Sequence, residues 1–77
     1  MGLFGKYVIM VTCQNGEKGF FQCVVDGYII LTQSASGAER FATASGARGF
    51  ASGIDWNLPT FGNGYSYVSK VDLMVRS

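Results

Sequence analysis

The stretch from Gly19 to Gln33, GFFQCVVDGYIILTQ, decides how this chain folds, because two apolar runs meet there at Asp26-Gly27. An Asp-Gly pair between hydrophobic runs marks a two-residue type I′ hairpin turn: both central residues need positive φ, and these two take it at least cost. Such a turn sets the register. Val25 is then opposite Tyr28, Cys23 opposite Ile30 and Phe21 opposite Thr32 on one face, while Val24 with Ile29 and Gln22 with Leu31 share the other. Both faces are largely apolar, which predicts a hairpin in the middle of a sheet with much of its second face covered.

Upstream, Tyr7 to Cys13 (YVIMVTC) is rich in β-branched and aromatic residues and reads as a first strand, with Tyr7, Ile9 and Val11 on one face. Asn15-Gly16 is the other strong hairpin dipeptide and returns the chain into the Phe20 strand, giving a three-strand meander. As a two-residue loop it places Cys13 opposite Lys18 and Cys23 opposite Val8, too far apart along the ribbon for a disulfide. With no signal peptide ahead of them, both cysteines are expected to be reduced packing residues of a cytoplasmic protein.

Downstream, Ser34 to Ile54 turns abruptly to Ser, Ala and Gly. Phe41 and Phe50 would lie roughly 180° apart on one continuous helix, so they could not both face one core and the chain must break between them. Ser36 with Glu39 has the spacing of a capping box, but Gly37, Gly46 and Gly49 each weaken a helix by about 1 kcal/mol relative to Ala. The expected arrangement is a loop or short turn through Phe41, then a helix from Thr43 as N-cap to about Ser52, closed by Gly53. Its buried stripe would be Ala47, Phe50, Ala51 and Ile54, with Phe50 as the main anchor. Asp55 to Gly64 (DWNLPTFGNG) reads as a loop. Tyr65 to Arg76 alternates, with Tyr65, Tyr67, Val71, Leu73 and Val75 inward and Ser66, Lys70, Asp72 and Arg76 outward, as a half-exposed last strand does. The expected whole is one small α+β domain over residues 1–77: an antiparallel sheet of about four strands with one short helix on it, in the order β-β-β-α-β.

Composition narrows the function. The chain of 77 residues is 48% hydrophobic and only 14% charged, with net charge +1, so it is a folded domain whose electrostatics single out no partner. A sparsely charged surface on so small a domain favours association, with a larger protein or as a homodimer. Histidine is absent, which removes the usual general base and the Ser-His and Cys-His nucleophile pairs. Two cysteines without histidine are too few for a structural zinc site. No phosphate-binding loop is present either. The apolar runs are far shorter than the ~20 residues of a membrane helix. The expectation is a non-enzymatic, non-membrane protein without cofactor, metal or catalytic residues. Trp56, Phe61, Tyr65 and Tyr67 cluster in or beside one Gly/Pro-bearing loop, and such aromatics dominate binding hot spots, so these four are the expected partner-binding residues.

Three motifs bear on partners. Gly46-Ala47-Arg48-Gly49 has the form of the GXXG loop of KH domains but lies inside the expected helix, where close packing accounts for it. Asn15-Gly16-Glu17-Lys18-Gly19-Phe20-Phe21 is similar to the N-x-x-K-G-F segment of cold-shock domains, which implies single-strand nucleic-acid binding by base stacking. Ile30, Leu31 and Thr32 stand where the second cold-shock motif has aromatics and histidine, so nucleic acid is the lesser expectation. In size, element order and the stretch Phe41-x-Thr43-x-x-x-Ala47-x-x-Phe50, the chain resembles the small phage-encoded inhibitors of the anti-CRISPR kind. That resemblance implies steric blocking of a host protein complex.

Overall fold

The computed structural model describes residues 5–61 and 66–75. The elements are β1 (Tyr7–Cys13), β2 (Lys18–Val25), β3 (Tyr28–Thr32), a short 3-10 turn (Ala35–Gly37), α1 (Ala44–Ser52) and β4 (Val68–Val75). The strands form one four-stranded antiparallel sheet in the order β3-β2-β1-β4, so the fold is α+β with the expected β-β-β-α-β sequence of elements.

Asp26 (φ 52°) and Gly27 (φ 80°) both take the positive φ of the type I′ turn. Val25 pairs with Tyr28, Val24 with Ile29 and Cys23 with Ile30, as the turn dictates. Past Cys23 the register departs from expectation. A bulge at Gln22 sets Phe21 opposite Leu31, and Thr32 opposite Phe20. One extra residue reverses the faces beyond it, which turns Phe21 to the Ile29 side, where it is buried. The first hairpin is likewise shifted by one residue: Thr12, not Cys13, is opposite Lys18, and the Cys13 N–H donates to the Glu17 carbonyl at 2.7 Å. Gln14, Asn15 and Gly16 form the loop, with Gly16 at φ 90° in the left-handed position and the Asn15 side chain accepting from the Glu17 N–H. This longer loop uses glycine at its third position, an alternative that the Asn-Gly dipeptide alone does not distinguish. Both thiols are free; Cys13 is buried and Cys23 half-buried.

The hairpin is not mid-sheet: β2 is interior, but β3 is an outer strand. Its edge is taken instead by a piece of the loop. The Ile29 N–H donates to the Pro59 carbonyl at 2.9 Å and the Phe61 N–H to the Ile29 carbonyl at 3.0 Å. The same piece reaches the entry to β4, where Thr60 N–H donates to the Ser66 carbonyl at 2.8 Å and Pro59 bridges Tyr67. Pro59 to Phe61 therefore tie the two outer strands together and coil the sheet around one core. At the other end, Phe41 exchanges two backbone hydrogen bonds with Tyr7, and the Glu39 N–H donates to the Phe21 carbonyl.

The core is Ile9, Val11, Cys13, Phe21 and Ile29, with Leu31, Phe41, Ala51, Ile54, Trp56, Leu58, Val68 and Val71 packed on it. Thr43 caps α1 as expected, its hydroxyl accepting from the Gly46 N–H at 3.1 Å, and Gly53 closes the helix in a right-handed conformation. The cap of the 3-10 turn is Ser34, so Ser36 lies inside the turn and the Ser36–Glu39 box does not start the helix. Ala47 is fully buried, which lets α1 lie close to the sheet, whereas Phe50 remains 43% exposed. Phe50 is thus not the main anchor; its ring covers the core's margin, 5.7 Å from Phe21 and 5.0 Å from Phe41 between centroids.

The last strand's alternation is also interrupted. A bulge at Ser69 lets Thr12 pair with Lys70 and Cys13 with Val68, so Val68 and Val71 both face the core and Tyr67 turns outward. Val75, at the strand's end beside Tyr7, is exposed rather than inward. The expected inward position of Tyr65 lies outside the described residues.

Candidate partner-binding surface

The four aromatic residues singled out in the sequence separate into two groups. Asp55 accepts the Asn57 N–H on its side chain, a tight local turn that folds Trp56 back toward the helix. The indole Nε1–H donates to the Ala51 carbonyl at 2.9 Å, and the ring stands edge-on to Phe21 with centroids 5.8 Å apart. Trp56 therefore seals the core, as a large aromatic with one polar handle does when its N–H finds a buried acceptor. Of the four expected partner-binding residues, Trp56 thus has its ring and N–H engaged within the chain.

Phe61 and Tyr67 point the other way. Thr60, between Pro59 and Phe61, is buried, its hydroxyl donating to the Ser66 carbonyl at 2.7 Å and lying 3.8 Å from the Cys13 Sγ. Alternation along an extended chain then forces Phe61 outward, and Tyr67, paired with Pro59, shares that side. Phe61 is 56% exposed and Tyr67 50%. Tyr65 lies outside the described residues, so the structure does not place it.

What Phe61 stands beside is not legible in the composition of its loop. Its ring meets Tyr28 edge-on, 5.9 Å between centroids, at the rim of a groove of about 390 Å³ whose lining includes Cys23, Val25, Tyr28 and Ile30. These come from the outer side of the Asp26-Gly27 hairpin. The expectation of a covered second face therefore fails there: Gly37 approaches the Thr32 end, but the groove is open and Val25 is 49% exposed. Cys23, Val25, Tyr28 and Ile30 already shared one face in the turn-derived register, and that was the available signal. Among the described residues, Asp26 is the one charged member of the lining. Such a surface can accept apolar and aromatic side chains; its described lining has no set of groups for proton transfer.

The cold-shock-like segment sits apart from it. Lys18, Gly19 and Phe20 line a smaller groove of about 170 Å³ with Met10 and Gln33, where Lys18 is the sole cation among the described residues. Among the described residues, too, no group of three His, Cys, Asp or Glu side chains is placed to hold a metal ion, and no helix is long and apolar enough to cross a membrane. Compared with protein-family models, curated proteins and solved structures, this chain finds no match.

Proposed function

We propose that this chain is a non-enzymatic protein-binding module that recognises a larger protein through the outer side of the hairpin groove. The observation that carries the reading is the exposure of Phe61 and Tyr67 on one side of the Pro59–Tyr67 pairing, with Phe61 beside Tyr28 at an apolar groove. A largely apolar, aromatic surface gains most from an apolar partner patch, whereas a nucleic-acid backbone calls for a cluster of cations, and the one charge in the groove's described lining is Asp26. Steric occlusion is the action open to such a module, and blocking a host complex, as the anti-CRISPR kind of inhibitor does, is the form its resemblance suggests.

The test is affinity capture from a host extract followed by titration of the captured protein. Phe61→Ala and Tyr67→Ala should each weaken binding about thirtyfold, the loss of roughly 2 kcal/mol expected of an aromatic anchor. Binding at full strength by both folded variants would overturn the assignment. A ligand recovered as nucleic acid, with affinity falling steeply in salt, would do the same.

A further inference from the structure

Among the described residues, β4 has a second edge with no strand on it. At Tyr67 that edge is taken by Pro59, but beyond the Ser69 bulge the strand's partner is β1 alone. An unpaired edge is a template for another strand, which proteins that need to stay apart guard with charged side chains, proline or bulges; β4 carries a bulge at Ser69, but the edge beyond it is regular. Here the charge is cancelled: Lys70 is followed two positions on by Asp72, on the same face, with Nζ and Oδ2 3.7 Å apart.

We propose that β4 pairs antiparallel with β4 of a second copy, with the twofold axis at Val71. Register selects this arrangement. An axis at Lys70 sets lysine against lysine, one at Asp72 sets aspartate against aspartate, and parallel pairing in register does both. The axis at Val71 alone sets Lys70 against the second copy's Asp72 and Asp72 against its Lys70. It also pairs residues of like face, so both copies of α1 lie on one side of a continuous sheet. The flanking groove of about 240 Å³ between α1 and the sheet, lined in part by Ala47, Arg48, Ala51, Val71 and Leu73, then runs along both sides of the axis. The Ser69 bulge ends the ladder opposite Leu73, so the contact is short and the dimer concentration-dependent. The groove beside Phe61 lies at the other edge of the sheet, and the dimer presents it twice.

Two measurements test this. In sedimentation across a concentration series, the wild-type chain should dimerise; Lys70→Glu and Asp72→Lys should each weaken the dimer about fivefold or more, since each sets like charges opposite at two symmetric places. The double variant K70E/D72K should recover wild-type association, because the charge pattern is restored in reverse. Under a mild thiol oxidant, Val71→Cys should give a dimer joined through residue 71 by peptide mapping, since paired strand residues have Cα atoms about 4.5–5.5 Å apart, within disulfide reach. A wild-type monomer at all concentrations, a double variant no better than the single ones, or no 71-to-71 link in the folded Val71→Cys protein would each overturn the proposal.

Discussion

Phe21→Ala should remove a large part of this domain's stability. Phe21 is 2% exposed, and both Phe50 and Trp56 stand edge-on to its ring, so truncation empties the centre of the core and strips two covering aromatics of their support. Removing a buried phenylalanine costs about 3–5 kcal/mol. A chain of this length has roughly 4–12 kcal/mol of stability to lose. The melting temperature should fall by about 15 °C or more, given the few degrees that each kcal/mol shifts so small a domain. A thermal melt within a few degrees of wild type would mean that the Gln22 bulge does not turn Phe21 inward.

Gly19→Val should also destabilise the domain, by a different route. A Cβ at Gly19 would lie 2.9 Å from the Leu31 Cβ, closer than side chains approach, with the Thr32 carbonyl oxygen already in contact at 3.4 Å. Glycine at this point of β2 lets β3 cross close over it as the sheet coils, which is the usual reason for glycine inside a strand. Relieving the overlap requires the β2–β3 ladder to shift, at a cost of about 1–3 kcal/mol. Urea unfolding should show that loss in the midpoint with the slope unchanged. An unchanged midpoint would mean that the two strands have room to separate.

The glycine of Lys18-Gly19-Phe20 thus has a packing reason in this fold independent of any likeness to cold-shock domains. More generally, the parts of the fold legible in the sequence were those set by local chemistry. Asp26-Gly27 fixed its turn through φ, Thr43 fixed the helix start through one side-chain acceptor, and the 180° separation of Phe41 and Phe50 required the break between them. The illegible parts were insertions of single residues. Bulges at Gln22 and Ser69 and one more residue in the Cys13–Glu17 loop leave composition and alternation nearly unchanged, yet each reverses or shifts the strand pairing beyond it. That is why Phe21 moved into the core and Tyr67 out of it. The candidate site suffered similarly: loop composition singled out Trp56, Phe61 and Tyr67 together and could not tell the packed ring from the two exposed ones. Their separation depends on the Trp56 bond to Ala51 and on the inward turn of Thr60, set by how the loop folds back on its own neighbours and not by its composition.

That separation is the centre of the account, and one paired measurement tests it: melting temperature and partner affinity for Trp56→Ala and Phe61→Ala side by side. Trp56→Ala should lower the melting temperature by about 10 °C or more, on the order of the 3–5 kcal/mol that loss of a packed tryptophan costs. Phe61→Ala should melt within about 2 °C of wild type, as exposed substitutions do, while binding about thirtyfold more weakly. The reverse pattern, a stable Trp56→Ala protein that cannot bind beside a Phe61→Ala protein that unfolds, would contradict the division of this chain into an inward aromatic seal and an outward aromatic contact.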